Sequence, residues 1–189
     1  YKILPQILRE LGAEVVSIGV APDGFNINKE CGSTKPEKAQ KAVLENSADI
    51  GICLDGDADR VLFIDEKGKL ANGDIVIGLL AEAWVNKNSL NKNTVVATVM
   101  SNLALELYLE KIGVSLIRTQ VGDKNVSKCM KRQRLNLGGE QSGHMILSDY
   151  SNAGDGLITS LQVLSVLVEN KKKASQLFNC LLYTSPSPR

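Results

Sequence analysis

Asp55, Asp57 and Asp59 alternate with small residues in a segment that reads DGDADR. This acidic segment directly follows residues 50–54, an apolar run that is typical of a buried strand. Like charges at this spacing repel one another unless a cation or the neighbouring Arg60 offsets them. Because Mg²⁺ prefers oxygen ligands in near-octahedral geometry, the three aspartates are predicted to bind one Mg²⁺.

Other interpretations of the acidic segment stay open at this point. An EF-hand would add Glu66 as its last ligand, but Arg60 stands where that loop needs glycine and a strand-like run follows. A haloacid-dehalogenase-type phosphatase would use Asp55 as its nucleophile and residues 122–125 as its second acidic motif, although Asp59 stands where that family has Thr or Val. Two further interpretations involve no catalysis, namely a solvated acidic turn and a non-catalytic module that binds a metal or a sugar phosphate.

The only histidine of the chain lies in a glycine-rich segment, residues 138–144, which reads GGEQSGH. Its glycines permit close approach of the backbone to a ligand. Glu140 can accept hydrogen bonds from vicinal hydroxyls, Ser142 can donate and accept them, and His144 can shuttle a proton near neutral pH. These residue types together favour a loop that binds sugar hydroxyls, and the alternative is a tight turn without a ligand.

Alternating helix and strand patterns must position these two segments. Helices are predicted over residues 4–11, 34–46, 74–85, 101–113, 126–134 and 155–169, and strands over 14–20, 49–54, 61–65, 94–98, 114–118, 135–137 and 145–147. The residue types predict N-caps at Thr34, Asp74, Ser101 and Asp155. The predicted fold class is α/β, with two consecutive layered α/β domains whose mixed, largely parallel sheets are covered by helices.

Bulk composition excludes several classes of function. The 189-residue chain has 43% hydrophobic and 23% charged residues, which is typical of a packed soluble protein. Its 22 basic and 21 acidic side chains give no summed field that favours nucleic acid or a membrane surface, and its longest apolar run, residues 75–85, is too short to span a bilayer. The four cysteines form no Cys-x-x-Cys pair, so neither a zinc site nor a disulfide framework is predicted, and a cytoplasmic location is expected.

Several motifs, in order along the chain, resemble the α-D-phosphohexomutase superfamily. The acidic segment is similar to its metal-binding loop, and residues 139–144 are similar to its sugar-binding loop. Five further segments resemble the branch of that superfamily that acts on glucosamine phosphates, namely residues 26–28 (NIN), 31–34 (CGST), 98–102 (TVMSN), 121–123 (VGD) and 154–156 (GDG). The resemblance extends over residues 1–182.

The resemblance implies a four-domain, Mg²⁺-dependent isomerase that interconverts glucosamine 6-phosphate and glucosamine 1-phosphate through a phosphoserine and a bisphosphate intermediate, in UDP-N-acetylglucosamine synthesis. Arg60 and Lys124 would then contact phosphate, Glu140 and Ser142 would bind sugar hydroxyls, and His144 would transfer a proton or orient the substrate. The implied substrate is a small phosphosugar, and a homodimer is one implied state of the full-length enzyme. Phosphomannomutases and phosphoglucomutases are the alternative members.

The resemblance also implies domain boundaries. Residues 1–64 correspond to the C-terminal part of domain 2, which ends with the metal loop, and residues 65–170 to domain 3 with the sugar-binding loop. Residues 171–182 begin the connection to domain 4. Residues 183–189 are expected to be disordered or non-native, because their prolines cannot continue a helix.

Departures from the family pattern define what the chain is expected to lack. It has no counterpart of the serine loop of domain 1, of the phosphate-binding loop of domain 4 or of the first strand of domain 2. We therefore expect an inactive internal piece whose partners are domains 1 and 4 of the same polypeptide. Lys124, Asn125 and Arg134 stand where the branch usually has Arg, Tyr and Gly. The missing strand predicts an exposed apolar edge and low stability for residues 1–64.

Overall fold

The computed structural model describes residues 1–181, so the tail predicted over residues 183–189 lies outside the described residues. The helices and strands, in chain order, are α1 (Ile3–Glu10), α2 (Glu37–Glu45), β1 (Ile50–Leu54), β2 (Val61–Asp65), β3 (Leu70–Ala71), α3 (Gly73–Asn86), β4 (Thr94–Thr98), α4 (Leu103–Lys111), β5 (Ser115–Thr119), α5 (Asp123–Gln133), β6 (Leu137–Gly139), β7 (Met145–Leu147), α6 (Gly156–Asn170) and α7 (Ala174–Leu177). Short 3-10 helices cover Asn91–Asn93 and Phe178–Cys180.

The described strands form two sheets. The first is an antiparallel meander in the order β1-β2-β3, and the second has the order β5-β4-β6-β7, with β4 parallel to β5 and β6 and with β6 antiparallel to β7. The acidic segment joins β1 to β2, and the glycine-rich segment joins β6 to β7. The predicted mixed α/β class is confirmed. Antiparallel pairs are commoner than predicted, because both of these connections are short hairpins and not helical crossovers.

Strand β2 is held between two hydrophobic clusters by its alternating side chains. Val61 and Phe63 belong to the main core, which α3, α4, α6 and β4 also build. Ile64 packs on the opposite face with Cys53 of β1 and Val43 of α2. The strand that leaves the acidic segment is therefore fixed on both faces.

Predictions from local residue types are wrong for one strand and for the N-caps of three helices. The strand predicted over residues 14–20 is wrong, since this segment has neither helix nor strand, and Val16 and Val20 are exposed. A β-rich run without a neighbouring strand has no partner for its backbone. Three predicted caps are also wrong, because the N-cap residues of α2, α3 and α4 are Pro36, Asn72 and Asn102, and not Thr34, Asp74 and Ser101.

Asp155 caps α6 as predicted, and its Oδ1 accepts a 2.9 Å hydrogen bond from Ile158 N. The change Asp155→Ala leaves that amide without its acceptor, so we expect the free energy of unfolding to fall by about 1 kcal/mol. Asp155→Asn keeps an acceptor oxygen and should lose less. Urea denaturation of both variants measures the two losses. Equal losses would show that the carboxylate charge, and not the hydrogen bond, stabilises the helix.

Residues 1–30 contribute little to either hydrophobic cluster. Within α1 only Leu8 is buried, whereas Phe25 is 95% exposed and Ile27 is 72% exposed. We expect the amide hydrogens of residues 1–30 to exchange with solvent much faster than those of β2 and α3, because few packed contacts oppose local opening there. Hydrogen exchange followed by mass spectrometry tests this expectation. Equal protection of the two regions would contradict it.

Candidate metal centre and the adjoining hairpin

The acidic segment forms a tight loop between β1 and β2. A 3.3 Å backbone hydrogen bond from Asp55 N to Arg60 O closes the loop, and Ala58 has a φ of 61° within it. Asp55 also holds the loop from inside, since its Oδ1 accepts a 3.1 Å hydrogen bond from Arg60 N and its Oδ2 lies 2.8 Å from Arg60 Nε. The Asp55 side chain is only 3% exposed, so solvent screens this ion pair weakly.

The three aspartates converge in this loop. One carboxylate oxygen from each of Asp55, Asp57 and Asp59 lies within 4.8 Å of the other two. Asp59 Oδ1 is buried and accepts no hydrogen bond from any residue in the described range 1–181, although Arg60 Nε is 3.5 Å away. A buried carboxylate oxygen without a donor is costly unless a cation compensates it. Because carboxylate oxygens are ligands that Mg²⁺ prefers, the residues present fit this ion.

The glycine-rich segment is the turn of the β6–β7 hairpin. Glu140 N donates a 2.9 Å hydrogen bond to His144 O, and Gly143 N donates one of 3.0 Å to Glu140 O. Gly143 has a φ of 96°, and a β-carbon there would overlap Val61 O, so both conformation and space require glycine. Glu140 Oε1 accepts a 2.9 Å hydrogen bond from Gly122 N, which ties the turn to the start of α5.

Main-chain contacts join the two loops. Val61 N donates a 3.1 Å hydrogen bond to Gly143 O, and Arg60 and His144 form an antiparallel bridge. His144 is buried, and its Nε2 lies 3.5 Å from Asp59 Oδ2. Its Nδ1 has no hydrogen-bond partner among the described residues. The structure thus places the only histidine beside the acidic loop.

Lys124 lies on α5 at a cavity of about 450 Å³ that Asp59 and His144 also line. Gly154 forms part of the same wall, and a β-carbon there would overlap the imidazole of His144. Ser142 is exposed and does not line this cavity, and neither does Glu140. Lys124 and His144 therefore border the same cavity, whereas Glu140 and Ser142 lie outside it.

A buried network that the sequence analysis missed supports the glycine-rich turn. Asp74 is fully buried, and its Oδ2 accepts hydrogen bonds from Asn102 N at 2.9 Å and from Gln141 Nε2 at 3.3 Å. Burial raises the pKa of Asp74. Gly73 N donates a 3.0 Å hydrogen bond to Gln141 O, and a β-carbon at Gly73 would overlap Glu140 O. The only sign of this network in the sequence is Asp74, a polar residue that precedes an apolar run. Such a residue equally predicts a helix N-cap.

Two general features bear on the environment of the protein. Across residues 1–181, no helix is long and apolar enough to cross a membrane. Cys31, Cys53 and Cys129 are free thiols. Burial, with Cys31 nearby, raises the pKa of Cys53 to about 11, so its thiol stays protonated at neutral pH and packs as an apolar residue.

Relatives of known name match almost the whole chain. The phosphoglucosamine mutase of Zymomonas mobilis is 55% identical over 179 residues, which is 95% of this chain and 40% of that protein. The phosphoglucosamine mutase of Parvibaculum lavamentivorans is 54% identical over 189 residues, which is 100% of this chain and 42% of that protein. The chain therefore spans about two fifths of the length of these relatives.

Solved structures share the fold. A phosphoglucomutase/phosphomannomutase family protein from Burkholderia thailandensis superposes with a TM-score of 0.85 at 25% identity, over 98% of this chain and 41% of that one. An N-acetylphosphoglucosamine mutase from Aspergillus fumigatus, solved in complex with GlcNAc-6P and magnesium, superposes with a TM-score of 0.63 at 21% identity, over 82% of this chain and 40% of that one.

Family models cover nearly all of the chain. The model of α/β/α domain II of phosphoglucomutase/phosphomannomutase matches residues 1–68. The model of α/β/α domain III matches residues 72–184, which is more than half of the chain. The acidic loop falls within the first match and the glycine-rich turn within the second. The chain belongs to the phosphoglucomutase/phosphomannomutase family.

Proposed function

We propose that this chain is the metal-binding and sugar-binding part of a phosphoglucosamine mutase, an isomerase that interconverts glucosamine 6-phosphate and glucosamine 1-phosphate. The observation that carries the proposal is the direct joining of the three-carboxylate loop to the hairpin that holds Glu140 and His144. A metal centre and a set of sugar-binding groups that share one framework suit a reaction in which a phosphoryl group moves to or from a sugar hydroxyl.

Each candidate residue has a separate task in this proposal. Asp55, Asp57 and Asp59 hold Mg²⁺, which when bound stabilises negative charge on a phosphoryl group during transfer. Arg60 keeps the acidic loop closed through Asp55, and its exposed guanidinium edge can hold a phosphate oxygen. His144 lies beside Asp59 and lines the adjoining cavity, where its imidazole can exchange a hydrogen bond or a proton with the substrate.

Glu140 and Ser142 bind sugar hydroxyls in this proposal, and Lys124 contacts phosphate. The Gly122 amide already orients one oxygen of Glu140, which leaves the other oxygen to accept from a hydroxyl. Glucose, mannose and glucosamine phosphates share these hydroxyls. The choice of a glucosamine phosphate therefore rests on the relatives of 54–55% identity, which are named phosphoglucosamine mutases.

The remaining partners follow from the length of the relatives. We propose that the phosphate-carrying serine belongs to the part of the polypeptide outside this chain, so the 189-residue chain by itself should show no turnover. We also propose a cytoplasmic location, since free thiols persist in reducing compartments. In this proposal the cavity beside Asp59 takes the phosphate end of the phosphosugar.

Turnover of glucosamine 6-phosphate by the full-length protein tests the proposal. We expect Glu140→Gln to raise KM by about tenfold to a hundredfold, because the change removes a charged acceptor of sugar hydroxyls. Glu110→Gln is the matched control, since Glu110 is an exposed glutamate on α4. Faster turnover of mannose or glucose phosphate than of glucosamine phosphate would overturn the substrate assignment. No turnover of any hexose phosphate would overturn the proposed reaction.

A further inference from the structure

Three lysines follow one face of α5 where it borders the cavity beside Asp59. Lys124, Lys128 and Lys131 are spaced four and three residues apart, which places them on a common helical face. All three line the cavity of about 450 Å³, and all three are exposed. Within residues 1–181 none of them has a carboxylate oxygen within 4.0 Å of its Nζ. Their charges are therefore free to meet a ligand.

The same cavity is also lined by groups that belong to the candidate metal centre. Asp59 lines it, together with His144 and the segment 152–154. His144 is only 6% exposed, and its Nδ1 has no hydrogen-bond partner in the described part of the chain. Its Nε2 lies 3.5 Å from Asp59 Oδ2, so the imidazole belongs to the same centre. The cavity therefore brings three cationic groups of α5 together with residues of the candidate metal centre.

We propose that Lys124, Lys128 and Lys131 form an anion-binding wall that takes the phosphate group of a phosphomonoester. This inference deepens the proposed function and rests on it in one respect, namely that the acidic loop holds Mg²⁺. Lysine ammonium groups bind phosphate as mobile point charges and need no fixed geometry. The cavity volume is within the usual range for small-molecule sites.

The charges around the cavity predict that metal and phosphate bind cooperatively. Asp59 and Asp123 also line the cavity, so three lysines face two carboxylates and leave one excess positive charge. Mg²⁺ at the acidic loop would add two positive charges at the same wall as Asp59. Phosphate should then bind more tightly with Mg²⁺ than without it, and the effect should weaken as the salt concentration rises.

The variant Lys128→Gln/Lys131→Gln in the full-length protein tests the proposal. Glutamine keeps helix propensity close to that of lysine and removes only the charge. With Mg²⁺ present, we expect calorimetry to show binding of inorganic phosphate and of glucosamine 6-phosphate weakened by about five- to tenfold, since each exposed charge contributes modestly. The matched control is Arg132→Gln, which removes an exposed charge from the same helix outside the cavity.

Two outcomes decide the inference independently of the mutase reaction. If the parent protein turns over glucosamine 6-phosphate and the double variant binds phosphate within twofold of the parent, the lysine wall is wrong and the proposed function stands. If the parent shows no mutase turnover but phosphate binding still drops in the double variant and not in Arg132→Gln, the wall is supported and the proposed function fails. Circular dichroism and thermal unfolding of each variant confirm that the helix is intact.

Discussion

The change Asp57→Asn is expected to abolish most of the Mg²⁺ binding and most of the turnover of the full-length protein. Asp57 is exposed, and no hydrogen bond or ion pair within residues 1–181 depends on it, so asparagine removes one anionic ligand while the loop stays closed. Loss of a metal that stabilises phosphoryl charge corresponds to a decrease in kcat on the order of 10³-fold. Calorimetric titration with Mg²⁺ and a steady-state assay measure the two effects.

Asp49→Asn is the matched control for this prediction. Asp49 is an exposed aspartate that precedes β1 at the end opposite the acidic loop, so its replacement changes the net charge equally without touching the three converging carboxylates. We expect unchanged Mg²⁺ affinity and unchanged kcat in this variant. Full turnover by Asp57→Asn, or an equal loss in both variants, would remove the metal centre from the proposed function.

The change Gly73→Ala is expected to displace the glycine-rich turn. A β-carbon at this position would overlap the carbonyl oxygen of Glu140, which is main chain and cannot rotate away. Alanine in place of glycine normally stabilises a helix by about 1 kcal/mol. Overpacking against a fixed backbone costs about 1–3 kcal/mol, so we expect a net loss in the free energy of unfolding and a higher KM for the phosphosugar.

Gly78→Ala, in the same helix, is the control that separates the effect of helix propensity from the effect of the steric overlap at Gly73. A β-carbon at Gly78 would lie 3.3 Å from a methyl carbon of Leu181, a side chain that can shift slightly. We expect the free energy of unfolding of this variant to be equal to or higher than that of the parent protein, and its KM for the phosphosugar to be unchanged. Chemical denaturation and steady-state kinetics compare the two alanine variants. If Gly73→Ala is as stable and as active as Gly78→Ala, the contact does not position the turn.

Much of the candidate site was predictable, because its chemistry is concentrated in short segments. Three carboxylates in five residues repel one another in any fold, so the spacing of Asp55, Asp57 and Asp59 predicts a compensating positive charge from a bound cation or from Arg60. The glycines of residues 138–144 are expected to permit close approach of the backbone to a ligand, and at Gly143 the close neighbour is Val61 O. Both expectations depend on residues that are near one another in the sequence.

The parts that sequence did not predict depend on contacts between distant segments. Asp74 has the residue type of a helix cap, but the fold draws it into a buried contact with Asn102 N and Gln141 Nε2, and Asn72 caps the helix in its place. The pairing of Arg60 with His144 joins residues that are 84 positions apart in the sequence. No local pattern specifies such a pairing, because it follows from how both hairpins pack on the common core.

The hydrogen bond from Val61 N to Gly143 O has a consequence for chimaeric proteins. It joins a residue matched by the domain II model to one matched by the domain III model, and it uses main-chain atoms alone. Recombination with a distant homologue at residues 69–71 would therefore need an incoming domain that keeps glycine at position 143 and the side chains that pack on Val61 and Phe63. A shift of one residue in the incoming hairpin would instead turn its side chains to the opposite face and separate the histidine from the aspartates.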